Sequence, residues 1–219
     1  MSNSATIQAV RNALSLPRIE TYEKAVVATG DLGPAAIALY DWNAQISGAF
    51  LAPLHICEIV LRKAVSDTLT AVYGVSWPWS QVFEKSLPSP GWGYDPRIDL
   101  QSARKKQLTT GKVIPELKFV FWQKMFTARY DVRLWDVHLR RVLPNMDAAR
   151  TITELRQKIY TDLEHVRFLR NRIAHHEPIF RRNLAGDLDK IKGLIQFRCS
   201  ITADWMMANQ WVTLLMPPP

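Results

Sequence analysis

A chain of 219 residues with a formal charge of +8 and a pI near 9.7 is long enough to bury one substantial core, and its basic balance favours a polyanionic partner, since Lys and Arg that neutralise phosphates release counterions. Its two cysteines, Cys57 and Cys199, stand far apart without the spacing of a metal or redox motif, as expected of buried thiols in a reducing compartment. The first residues, MSNSATIQAVRNALSL, lack a basic region followed by a continuous apolar one, and no stretch approaches the roughly 18 uninterrupted apolar residues of a membrane span, so a soluble cytoplasmic protein with no membrane partner is expected.

Apolar residues recur at helical spacing through most of the chain, which predicts an all-α fold. Pro34 suits the first turn of a helix running through Leu39, Tyr40, Trp42 and Ile46. A second helix is expected from Ala49 to Tyr73, where Leu54, Cys57, Leu61, Val65 and Leu69 step by three or four and Gly74 supplies the stop. Between Val75 and Lys112 the pattern dissolves into Trp77-Pro78-Trp79 and Pro88-Ser89-Pro90-Gly91-Trp92-Gly93. That composition predicts an irregular insert, packed down by its Trp side chains and carrying one short helix near Arg97 to Leu108. Helical spacing resumes over Val113 to Phe126 and Leu134 to Val142, with Pro144 closing the latter. A long helix is then expected from about Asp147 to His176, with Ile159, Leu163, Val166, Leu169 and Ile173 on its core face and Pro178 beyond its end. Two amphipathic stretches follow, about Asp187 to Phe197 and Ile201 to Leu215. The whole reads as a single helical domain, 1–219, with the insert at about 75–112.

The chemistry concentrates in LRNRIAHHEPIF. At about 100° per residue, Arg170, Asn171 and His175 share an arc turned away from the long helix's core face. A guanidinium offers a fixed fork of donors to a phosphate, and an imidazole exchanges protons near neutral pH. Together they suit phosphodiester cleavage without a metal: His175 takes the proton from a ribose 2′-hydroxyl and Arg170 stabilises charge developing on the phosphate oxygens. Spacing alone selects nothing, because Arg133 and His138 in RLWDVH match as well, and any histidine in a last helical turn interacts favourably with the helix dipole. His176 is the second candidate for the proton carrier, lying closer to the core edge on an ideal helix. The run His175-His176-Glu177 lacks the His-x-x-x-His or Cys-x-x-Cys pair of a metal site, so no metal and no cofactor are expected.

LRNRIAHHEPIF resembles the signature of the Abi-like (abortive infection) proteins of the HEPN superfamily. ALYDWNAQISGAFLAPLHICEIVLRKAV, from Ala38 to Val65, is similar to that family's first half, and LKFVFWQKMF with LWDVHLRRVLP to its middle, so the likeness spans roughly Arg18 to Asp189. It implies a bundle of long helices, a homodimer whose two Arg-to-His motifs face one cleft, and a metal-independent endoribonuclease acting on RNA in phage defence or as a toxin, with a cognate antitoxin as a further partner. Matched residue by residue, Arg170, Asn171 and His175 fall on the motif. Where nucleotidyltransferase-paired members carry a Tyr two positions after the His, this chain has Glu177. Many HEPN proteins have lost catalysis, so a module that binds RNA, nucleotide or a partner protein is the alternative.

Supporting roles are assigned to Glu58 and Arg62, one turn apart on the upstream helix, and to Asn43. Glu58 is expected either to pair with Arg62, worth about 0.3 to 0.5 kcal/mol if exposed, or to orient the Arg170 guanidinium. Arg172 and the insert's Arg104, Lys105 and Lys106 are the expected contributors of positive field to RNA.

Overall fold

The computed structural model describes residues 4–27 and 32–218. Among them are twelve α-helices and no strand, so the all-α expectation holds. The axis of the fold is α3, Leu32–Tyr73. Two short helices precede it, α1 (Ser4–Leu14) and α2 (Leu16–Glu23). The 42 residues of α3 extend for about 63 Å at 1.5 Å per residue, and α2, α8, α9, α10 and α12 pack along this one rod.

The sequence suggested two helices here, one running through Ile46 and a second from Ala49 to Tyr73. They are one, because the buried stripe keeps its phase across the division: Ile46, Phe50 and Leu54 follow one another at four-residue intervals, all buried. Pro53 removes the N–H that would reach Ala49 and costs about 3 kcal/mol in a helix interior, a cost offset by the continuous burial on either side. Gly74, with φ 85°, ends the helix. By length and composition α3 also passes for a membrane span, with a mean hydropathy of 1.5 over 18 residues. A third of that window is buried among the helices packed along it.

The segment expected to be an irregular insert is mostly helical: a 3-10 turn at Trp77–Trp79, α4 (Gln81–Ser86), α5 (Pro96–Arg104) and the start of α6 (Thr110–Glu116). Local capping makes these short pieces possible. Ser80 accepts from the Phe83 N–H, and Asp95 accepts from the N–H groups of Arg97 and Ile98 just ahead of Pro96. Only Trp77 fastens the insert as anticipated; it is fully buried against Phe83 and Trp122, with its indole N–H donated to Ser66 Oγ at 3.2 Å. Trp92 stands 84% exposed. After α6 come α7 (Phe119–Lys124), a π-helical turn over Asp131–Trp135, and α8 (Asp136–Val142).

The helix that carries the motif, α9, spans Ile152–Ala174, starting five residues later than Asp147. Thr151 supplies the reason. Its hydroxyl accepts from Glu154 N–H while the Glu154 carboxylate accepts from Thr151 N–H at 2.8 Å, a reciprocal cap. The preceding residues form a tied loop instead, in which Arg140 donates to the carbonyls of Asp147, Ala148 and Arg150. Burial of Leu155, Ile159, Leu163, Val166, Leu169 and Ile173 fixes the rotation of α9 about its axis. In the first turns of α9 Arg156, buried, grips both oxygens of Asp131 at 2.8 and 3.2 Å. Beyond the motif, α10 (Leu184–Arg198) packs on α3 and α9, α11 (Ser200–Ala208) packs on α10, and α12 (Val212–Leu215) returns to α3.

The two faces of α3 predict opposite responses to truncation. Leu61→Ala, on the buried stripe, is expected to cost about 2 to 5 kcal/mol, whereas Leu51→Ala, on the exposed side, stays within about 0.5 kcal/mol. Urea unfolding followed by circular dichroism checks both.

Candidate functional site

The site begins with how α9 stops. His175 is the C-cap residue at φ −94°, ψ 9°. His176 then takes a left-handed conformation, φ 55°, which histidine tolerates better than most non-glycine residues. With that turn the N–H of Glu177 reaches Arg172 O at 2.8 Å and the N–H of His176 reaches Ile173 O at 3.0 Å. These are the six-to-one and five-to-two bonds of a Schellman cap, which satisfy carbonyls that a helix end otherwise leaves open.

Three side chains then fix the turn, two of them from other helices. Arg18 of α2 donates to the His176 carbonyl at 2.7 Å. Arg172 donates through Nε and Nη2 to Pro178 O at 2.9 and 2.6 Å and pairs with Glu177 at 3.2 Å. Asn43 of α3, only 5% exposed, accepts the Ile179 N–H at 2.7 Å. Asn43 is therefore a positioning residue for the segment after the motif. Arg172, expected to face RNA, spends its donors on the turn instead.

What the turn presents is a set of uncommitted side chains. Arg170, His175 and His176 are exposed and Asn171 is half-buried; among the described residues their side chains make no hydrogen bond or ion pair. Most other arginines are tied: Arg104, Arg156, Arg182 and Arg198 each hold a carboxylate. An exposed guanidinium offers its donors, and an exposed imidazole its ring nitrogens, to an incoming phosphate.

Arg170 opens on a groove of about 630 Å³ whose other walls are Leu51, His55, Ile56 and Glu58 of α3 and Trp205 of α11. Glu58 shares this groove but forms its ion pair with Arg62, so the pairing along α3 prevails over orientation of Arg170. On the far side of Leu51 lies a second cavity of about 400 Å³, where His176 meets Tyr22, Tyr40, Asn43, Ser47 and Gly48. The helical projection that put His176 near the core edge fails because α9 has already ended. Burial first and Tyr40 second push the Tyr22 hydroxyl up to about 12, against the opposing pull of Arg18 and Arg172.

The remaining candidates lie elsewhere. Arg104 binds Glu84 and the Pro78 carbonyl, at 2.6 Å for the latter, a structural tie within the insert. Lys105 and Lys106 are exposed at the end of α5, and the groove beside Arg170 is lined by α3, α9 and α11 instead. The matching pair Arg133 and His138 is separated from the motif by environment: His138 is half-buried, and burial together with Arg141 lowers its proton affinity. His175, His176 and Glu177 diverge, one to solvent, one to the tyrosine cavity and one to Arg172. Among the described residues no three His, Cys, Asp or Glu side chains gather as a metal set. Arg18, Tyr22, Tyr40 and Trp205 carried no signal in the sequence, since each reaches the site from a distant segment. No family model, curated protein or solved structure matches the chain.

Removing the Asn43 amide while leaving Ile179 N–H buried has a definite expected cost. Asn43→Ala should lose about 1 to 3 kcal/mol and raise amide exchange at Ile179 selectively; unchanged exchange there would show that Asn43 does not hold the turn.

Proposed function

We propose that this protein is a metal-independent endoribonuclease of the HEPN type, acting in the cytoplasm in phage defence by abortive infection or as a toxin. The observation that supports the reading above all is the exposed, unpartnered pair Arg170 and His175 at a helix end whose backbone is fixed from three directions. His175 removes the proton from a ribose 2′-hydroxyl, the resulting oxygen attacks the adjacent phosphorus, and the bond to the 5′-oxygen breaks, leaving a 2′,3′-cyclic phosphate and a 5′-hydroxyl. Arg170 neutralises the charge on the non-bridging oxygens. Asn171, half-buried beside them, donates its amide to the same phosphate.

The working unit in this reading is a homodimer. Leu51 and Trp205, 57% and 55% exposed, flank the Arg170 groove, with Ile59 further along α3 also exposed. A two-fold copy seated on this apolar rim buries it and brings two motifs to one cleft, and the second copy's His175 then protonates the leaving oxygen. A non-catalytic module that binds RNA, nucleotide or a partner protein is the second reading, favoured by one observation: His175 is not among the residues lining the groove that Arg170 opens on.

Purified protein incubated with labelled single-stranded RNA in EDTA should cut it, and both Arg170→Ala and His175→Ala should lose about 10² to 10⁴-fold in rate. Variants that cut as well as the parent remove the site; binding by the parent without cutting selects the module. Trp205→Glu should shift the sedimenting species from dimer to monomer.

A further inference from the structure

The cavity between α2, α3 and the end of α9 is not used by the proposed reaction, yet it has the makings of a ligand site. Its volume of about 400 Å³ falls in the range of small-molecule pockets. Half-buried Tyr40 gives it an aromatic wall, backed edge to face by the buried Tyr22 with ring centroids 5.0 Å apart. Ser47 and the exposed His176 supply hydrogen-bonding groups, and Ile173 with Leu51 supplies an apolar floor. Arg18, which donates to the His176 carbonyl at 2.7 Å, stands beside the cavity. Gly48 opens it further: a Cβ there would meet nothing within 4 Å.

We infer that this cavity is a nucleobase pocket, receiving the unstacked base of a single-stranded RNA nucleotide next to the scissile phosphate. The inference rests on the ribonuclease reading for its direction along the strand, and on the cavity alone for its chemistry. An aromatic wall beside hydrogen-bonding groups suits a flipped-out base, which offers a π-face for stacking and polar edges for bonding. The geometry joins the two sites. Leu51 lines both the tyrosine cavity and the Arg170 groove, and the single turn from His175 to His176 sends one imidazole to solvent and the other into the cavity. A base held at His176 and Tyr40 therefore leaves its own phosphate at the side of α9 that presents Arg170 and His175.

The test uses the full chain and three probes: adenosine 5′-monophosphate, uridine 5′-monophosphate and ribose 5-phosphate. In saturation-transfer NMR the two nucleotides should bind, with transfer from tyrosine ring protons, and ribose 5-phosphate should bind at least tenfold more weakly. Gly48→Leu fills the cavity with a better helix former, so its fold survives; it should weaken nucleotide binding at least tenfold, and Tyr40→Leu should do the same. Equal binding of ribose 5-phosphate, or unchanged nucleotide binding in both variants, overturns the pocket. RNA cleavage measured in parallel keeps the two readings apart. Nucleotide binding lost in Gly48→Leu without any RNA cutting by the parent leaves the pocket standing and the ribonuclease fallen; Arg170-dependent cutting with the same KM in Gly48→Leu does the reverse.

Discussion

Everything at the candidate site depends on how the carbonyl groups at the end of α9 find donors. A helix leaves its last four carbonyls without intrahelical partners, and here the left-handed turn at His176 returns N–H groups to Asn171, Arg172 and Ile173. The turn exposes new carbonyls in exchange. Those of His176 and Pro178 are taken by the guanidinium groups of Arg18 and Arg172, and the Ile179 N–H goes to a buried amide on α3. Among the described residues the side chains of Arg170, Asn171, His175 and His176 make no hydrogen bond or ion pair.

The rigidity of that arrangement comes from α3. Its buried stripe anchors α9 and α10, and its more exposed face contributes Leu51, His55 and Glu58 to one groove and Gly48 to the neighbouring cavity. One rod thus holds the core on one side and both candidate surfaces on the other. Near the site, Arg18, Arg62 and Arg172 each have protein partners, whereas among the described residues the Arg170 side chain makes no hydrogen bond or ion pair.

The core face of α9 was legible from periodicity, as were the Gly74 stop and the all-α class, because each follows from local spacing or backbone freedom. The continuity of α3 was not, since the two stretches were read separately, one through Ile46 and one from Ala49, and it is the phase of Ile46, Phe50 and Leu54 across the gap that reveals one helix. Of the insert's short helices, the one expected near Arg97 to Leu108 is α5, Pro96–Arg104, while the others were hidden by the Pro and Gly content around them. At the site, the outward arc of Arg170, Asn171 and His175 followed from helical geometry. The structural employment of Arg172, and the capture of Glu58 by Arg62 rather than Arg170, depended on competition among partners that spacing does not rank. Asn43 was singled out, but its partner 136 residues away was beyond local reasoning.

The most direct test of the central claim, that the end of α9 presents free side chains to an RNA phosphate, is a titration of the five histidines by NMR with a short 2′-O-methyl oligoribonucleotide, which binds as RNA does and has no free 2′-hydroxyl to react. The imidazole resonances of His175 and His176 should shift together and saturably, those of His138 and His165 should stay in place, and Arg170→Ala should abolish the response at His175. Shifts confined to His138, or none at His175 while the oligonucleotide binds, would contradict the claim.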